Sequence, residues 1–335
     1  MLRTLALLVP LLCAACSKEG GSQPNQPAPV ANTIKLGFIV KQPEEPWFQL
    51  EWQFADEAQK KLGFSLVKVG ASDGERVLAA IDNLASQGAQ GFVICTPDVR
   101  LGPAIVARAK AKNLKLIAVD DRFLGADGKP MEDVHYLGIS AGKIGNSVGI
   151  ALTAEQFKRG WSNDETGVIA VTFEELETAK ERTDGAIEEL VNSGFPAERI
   201  FKAPTQKSEI PAALDATNAL LTQHGDVKKW LVCGMNDNAV LGAVRALEGR
   251  GFGAESVAGI GINGTDCIVE FEKQKPTGFH ASVLLSAKQH GYQTCEMLYR
   301  WIKDGVEPPL DTRTTGVLIN RANFKQVLKD QGVTH

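Results

Sequence analysis

A chain of 335 residues has room for two domains of the usual ~150, and 44% apolar with 23% charged side chains is the balance of a chain that folds around a core. Its 36 basic and 40 acidic side chains leave a formal net charge of −4 and no excess positive field, which argues against nucleic acid as a partner. Glycine, at 33 residues, is abundant enough for a fold with many short turns between strands and helices.

The chain starts MLRTLALLVPLLCAAC: one arginine, an apolar run from Leu5 to Leu12, then small residues, the layout of a secretory signal peptide over residues 1–16. That run is shorter than the ~20 residues needed to cross a bilayer. Two outcomes are open at its end. One is cleavage at an A-x-A-like site. The other follows from Ala14-Ala15-Cys16, which resembles the lipobox of bacterial lipoproteins and would make Cys16 the acylated N-terminus, although Cys13 is unusual there. Residues 17–33 are Gly, Ser, Gln, Asn and Pro with little to bury, and read as a flexible tether to a globular part that begins near Ile34. Export would expose Cys95, Cys233, Cys267 and Cys295 to an oxidising compartment. They form no close sequence pair, and Cys95 and Cys233 each close an apolar run, so they read as small buried hydrophobes.

From Ile34 onward, short apolar runs alternate with helical patterns: strands are predicted at 35–40, 65–69, 91–95 and 115–119, then at 167–172, 199–203, 230–233 and 257–262. Uniformly apolar strands separated by helices imply parallel sheets covered on both faces. The helical pieces carry their own signals. Val77, Ile81, Leu84 and Ala85 share one face between Asp73 as N-cap and Gly88 as terminator. A strand, a helix ending at Leu62 and Gly63-Phe64 are echoed by a second strand, a helix ending at Ser193 and Gly194-Phe195, which predicts two similar lobes in tandem. A helix near 287–304 and a strand near 315–319 would complete them by crossing back. The expected fold is α/β, with two doubly wound parallel-sheet lobes: 34–139 with 286–312, and 140–285 with 313–335, joined by three crossings near 140, 285 and 313.

Ligands of such open sheets bind beyond the carboxyl ends of the strands. The first run is followed by Lys41, Glu44, Glu45, Trp47 and Phe48, with Pro46 fit to open a helix; the fourth by Asp120-Asp121. The run ending at Thr172 leads to Thr178 and Arg182, four apart on one helix face. Two later runs give Met235-Asn236-Asp237 and Asn263-Gly264-Thr265-Asp266. Collected in one cleft, these supply carboxylates, amides, a guanidinium and flat apolar faces, the mixture a monosaccharide needs for hydroxyls that donate and accept and for its C–H faces. Each also has a structural reading, since Asn and Asp after strands are favoured helix N-caps and Trp47 and Phe48 suit a helix core. Gly259 to Gly264 satisfies G-x-G-x-x-G, but its glycines lie inside the apolar run and no acidic residue stands ~20 residues on. Gly142-Lys143 lacks the rest of a phosphate loop, and metal-ligand spacing is absent from the five scattered histidines, so no cofactor is expected. Glycoside hydrolysis remains as the enzymatic alternative, although adjacent Asp120 and Asp121 should diverge rather than flank one bond.

The stretches KLGFIVKQPEEPWFQ, GFVICTPD, AVDDRF, WLVCGMNDN, GIGINGTD and HGYQTCEMLY resemble the two-lobed periplasmic sugar-binding proteins (type I periplasmic binding proteins) of bacterial uptake, from about Ile34 nearly to the C-terminus. The resemblance implies a non-enzymatic, monomeric, periplasmic protein that closes about L-arabinose or a D-galactose- or D-fucose-like sugar. It would then present the closed form to the membrane permease and ATPase of an ABC importer. Carried over residue by residue, it implies that Lys41, Glu45, Asp121, Arg182, Asn236 and Asn263 hydrogen-bond the sugar. Asp121 would accept from the anomeric hydroxyl, and Arg182 would hold the ring oxygen. Trp47 and Phe48 would cover the apolar surface, and Cys95, Met235, Thr178 and Asp120 would line or support the pocket. The sequence departs from the family pattern at Ile139, where methionine is expected, and at Leu285 and Ala287, where prolines are. A sugar-responsive repressor of the same fold would begin with a DNA-binding helix-turn-helix, a place taken here by the signal and tether.

Overall fold

The computed structural model describes residues 33–333, so the expectations for the signal, for Cys16 and for the tether lie outside the described residues. Twelve strands are present there: β1 (Lys35–Val40), β2 (Ser65–Gly70), β3 (Gly91–Ile94), β4 (Lys115–Asp120), β5 (Tyr136–Ile139), β6 (Thr166–Thr172), β7 (Ile200–Pro204), β8 (Lys229–Gly234), β9 (Val257–Asn263), β10 (Phe279–Leu285), β11 (Asp311–Thr314) and β12 (Gly316–Asn320). The α-helices are α1 (Pro46–Leu62), α2 (Gly74–Ser86), α3 (Gly102–Ala111), α4 (Ala141–Lys158), α5 (Glu177–Asn192), α6 (Ile210–Leu221), α7 (Asp237–Gly249), α8 (Ile268–Glu272), α9 (Thr294–Asp304) and α10 (Phe324–Asp330).

The strands form two six-stranded sheets, ordered β11-β5-β4-β3-β1-β2 and β12-β10-β9-β8-β6-β7. All pairs are parallel except β10 with β12. Both faces of the central strands are covered, as in β1, where Phe38 and Ile39 point to opposite faces and both are fully buried. Local signals set the helix bounds. Pro46 opens α1, Gly63 closes it in a left-handed conformation, and the Asp73 carboxylate accepts the Arg76 N–H at 2.9 Å to start α2.

The chain passes between the sheets three times: after Ile139, after Leu285, and at Thr315 between β11 and β12. Sequence periodicity gave no strand at β5, β10 or β11. β5 is four residues long, β11 is the polar stretch DTRT at a sheet edge, and β10 adjoins a crossing where strand and helix signals run together. The single helix expected over 287–304 is instead a π-helical turn, Gln289–Gln293, followed by α9.

Glycines fix one helix pair beside the cleft. Gly145 and Gly149 of α4 lie so close to α5 that a Cβ on Gly145 would overlap the carbonyl oxygen of Arg182, and one on Gly149 would stand 2.6 Å from Cβ of Glu189. Gly185 of α5 is held equally close to the carbonyl of Gly142. This contact sets where α5 carries Thr178 and Arg182.

Candidate functional site

A cavity of about 900 Å³ lies between the lobes at the carboxyl ends of the strands, beyond the point where β1 has β2 on one side and β3 on the other. Lys41, Glu45, Trp47, Phe48, Asp120 and Asp121 line it from the first lobe. Thr178, Arg182, Met235, Asn236 and Asn263 line it from the second, and Ile139 and Leu285 from the crossings. Cys95 does not line the cavity. It is fully buried behind Asp121, its Sγ 3.8 Å from Oδ2.

Asp121 is the centre of the polar set. Its Oδ2 accepts from Nζ of Lys41 at 2.7 Å and its Oδ1 from the hydroxyl of Thr178 at 2.7 Å. Burial alone would raise its pKa, but the charge and hydrogen bond of Lys41, the Thr178 hydroxyl and nearby Arg182 hold it below the usual carboxylate value. Burial would lower the Lys41 pKa, and the nearby Asp121 carboxylate more than reverses that. A carboxylate offers about four acceptor sites, so Lys41, Cys95 and Thr178 leave one for a hydroxyl from a ligand.

Arg182 approaches from α5. Its Nη1 donates to the carbonyl of Met235 at 2.7 Å and to Oδ1 of Asn263 at 3.5 Å, while its buried Nε has no hydrogen-bond partner among the described residues. Burial draws the guanidinium below its usual pKa, opposed by Asp121 and Asp120, and it remains a cation. Asn236 caps α7, its Oδ1 accepting the Ala239 N–H at 2.8 Å, and it also lines the cleft, where its Nδ2 donates to the Ser208 carbonyl at 3.3 Å. Glu45 is raised above the usual glutamate pKa by burial and by Asp266, against the pull of Lys41.

Asp120 and Asp121 do diverge. Asp120 turns away from Lys41 and bonds Nδ1 of His290 at 2.7 Å. Asp120 and Asn263, the last residues of β4 and β9, both have positive φ, 65° and 109°. Non-glycine residues hold such conformations at a cost, and they concentrate where a site requires them. Trp47 and Phe48 are 6% and 3% exposed, so they belong to the core and to the cavity wall at once.

Sequence reasoning missed part of the wall. Phe173, Leu176 and Ala179 line it after β6, and Asp98 and Arg100 at its mouth after β3. The strand-end rule points to Phe173 and Asp98, which sit in the loops that follow two predicted strands. His290 had no such signal, because it reaches Asp120 only through the third dimension.

The cavity balances acids against Lys41 and Arg182 and offers mixed donors and acceptors around apolar faces, which fits a small neutral polyhydroxylated ligand. Free thiols at Cys95, Cys233, Cys267 and Cys295 are all buried, as small core residues would be.

Known proteins agree with this architecture. The L-arabinose-binding periplasmic protein of Escherichia coli strain K12 is 52% identical over 305 residues, 91% of this chain and 93% of the relative. The ABC transporter L-arabinose-binding periplasmic protein of Azospirillum brasilense is 47% identical over 329 residues, 98% and 97% of the two chains. An ABC transporter periplasmic solute binding protein from Actinobacillus succinogenes 130z, solved with bound D-allose, superposes with a TM-score of 0.73 at 18% identity, over 88% of this chain and all of that one, and shares its fold. Residues 33–327 match the family described as periplasmic binding proteins and sugar binding domain of LacI family, and the chain belongs to that family.

Proposed function

We propose that this protein binds a monosaccharide between its lobes, L-arabinose in the first place and a D-galactose- or D-fucose-like sugar in the second, and delivers it from the periplasm to the permease and ATPase of an ABC importer. The observation that carries the reading is Asp121, held ionised by groups from both lobes with one acceptor site to spare, beside the unpartnered Nε of Arg182. In this reading Lys41, Glu45, Asp121, Arg182, Asn236 and Asn263 bond the hydroxyls and ring oxygen. Trp47 and Phe48 cover the apolar surface, and Cys95, Asp120, Ile139, Thr178 and Met235 support the wall. The names of the two relatives support the choice of sugar and of importer.

The same reading makes the protein a monomeric binder rather than a catalyst. It takes 34–139 with 286–312 and 140–285 with 313–335 as the two closing bodies, the signal as residues 1–16, and Cys16 as an acylated anchor. Supporting a binder, Asp120 and Asp121 turn to different partners and do not face one bond as hydrolytic carboxylates must. Incubation with a sugar panel tests binding against turnover: a smaller radius of gyration at saturation, with the sugar recovered unchanged, is expected. Unchanged scattering with every sugar, or a cleaved product, contradicts it. Palmitate labelling that is lost in Cys16→Ala tests the anchor.

A further inference from the structure

His290 stands where the three lobe crossings and the cleft wall meet. It lies in the π-helical turn of the second crossing and is fully buried. Its Nε2 is 3.0 Å from the hydroxyl of Thr314, the last residue before the third crossing, and the carbonyl of Thr314 accepts the N–H of Ser140, in the first crossing, at 2.8 Å. On its other side, Nδ1 is 2.7 Å from Oδ1 of Asp120, and the ring meets Trp47 edge-on, with centroids 5.2 Å apart at 76°. Asp120 and Trp47 are both cavity residues. One imidazole thus touches two residues of the first-lobe wall and is stitched to the hinge.

The surroundings force this arrangement. A Cβ on Gly291 would overlap the carbonyl oxygen of Glu51, so the π turn lies directly on α1. Glu51 is fully buried, its nearer oxygen 3.7 Å from Nδ1 of His290, and neither carboxyl oxygen has a hydrogen-bond partner among the described residues. Burial, and after it nearby Asp120, push the Glu51 pKa well up. Glu51, Asp120 and His290 lie close enough together to suggest a metal site. The 2.7 Å approach of Nδ1 to Asp120 is instead that of a hydrogen bond, closer than the ~3 Å or more that separates two donor atoms bound to one ion at ~2.1 Å.

We propose that His290 is a positioning residue for the sugar: it holds Asp120 in its left-handed conformation and Trp47 at the wall, and ties both to the second and third crossings. The proposal rests on the monosaccharide reading above. It also explains how Asp120 keeps a φ of 65° at the end of β4, a conformation that needs an external tie.

Two substitutions separate the two ends of the ring. His290→Asn keeps an N–H in the place of Nδ1, and His290→Gln places its amide near Nε2. Titration calorimetry of the full chain with L-arabinose, with thermal unfolding of each variant, is the test. The Asn variant should bind within about threefold of wild type, and the Gln variant roughly tenfold more weakly, the scale of one hydrogen bond to a charged group. In wild-type protein with ¹⁵N-labelled histidine, the His290 ring signals should shift on sugar addition. Wild-type affinity in a folded Gln variant overturns the proposal, as do losses in both variants that merely follow their melting temperatures. Should the variants fail to fold, ring signals unmoved at saturation overturn it. A wild-type protein that binds no sugar of the panel overturns the monosaccharide reading itself, which keeps the two failures apart.

Discussion

The hydroxyl of Thr178 donates to Oδ1 of Asp121 at 2.7 Å, joining α5 of one lobe to the end of β4 in the other. This bond spans the cleft and holds in place the carboxylate that we assign to the anomeric hydroxyl. Thr178→Val keeps the shape of the side chain and removes the donor. A hydrogen bond to a charged group is worth about 1.5–3 kcal/mol, so L-arabinose affinity should fall roughly tenfold to a hundredfold. The unliganded variant should also scatter as a more open particle. Calorimetry and scattering unchanged from wild type would remove Thr178 from the site.

The position of Arg182 depends on a helix contact as well as on its own bonds. Gly145→Ala would drive a methyl group into the Arg182 carbonyl, and overpacking of this kind costs about 1–3 kcal/mol. Affinity should drop by about tenfold although Gly145 does not line the cavity. Gly142→Ala, on the same helix with nothing within 4 Å of its would-be Cβ, should leave affinity unchanged and serves as the control. Equal binding by both variants would show that the α4–α5 contact does not set the site.

The parallel sheets, most strand bounds and the tandem lobes were legible because fully buried strands write uninterrupted apolar runs, and because caps such as Asp73 and Gly63 act locally. The polar residues at the centre of the cleft were legible for a related reason: in a doubly wound sheet, the residues after the strands line the crevice at their carboxyl ends. What local patterns did not carry was tertiary. The edge strand β11 is polar, the π turn looks like ordinary helix, and His290 acquires its partners from β4 and β11 only when the crossings come together.

Lys41 governs the pH response. In wild type, Asp121 titrates below the usual carboxylate pKa of ~3.9, so its favourable contribution is present above that value and is lost only as pH falls through the lowered pKa. Asp121 should therefore add no pH dependence to sugar affinity above the usual carboxylate range, which leaves any change there to Glu45, raised by burial and by Asp266. Lys41→Met leaves burial as the dominant influence on Asp121 and moves its titration upward. Affinity of the variant, already weaker, should then fall more steeply than that of wild type as pH is lowered from neutral. Titration at several pH values checks the shape of the curve, and a variant profile no steeper than wild type's contradicts the role given to Lys41.

Specificity is expected to lie in the crossings. Ile139 and Leu285, 2% and 3% exposed, both line the cavity, at two positions where the resemblance implies methionine and proline. The polar set would serve arabinose and a galactose-like hexose alike, so discrimination rests on room for one hydroxymethyl group, about 1–3 kcal/mol. Ile139→Met with Leu285→Pro should change the ratio of the two affinities. Separate titrations with each sugar read it, and an unmoved ratio would show that these positions do not shape the pocket.

The central claim is that one sugar is held between the lobes by Asp121 and Arg182, and paired calorimetric titrations of L-arabinose into wild type, Asp121→Ala and Arg182→Ala test it most directly. The account predicts saturable one-to-one binding by wild type and losses of roughly tenfold to a hundredfold in each variant, the scale of a charged hydrogen bond removed from a buried site. Wild-type affinity in both variants would contradict it.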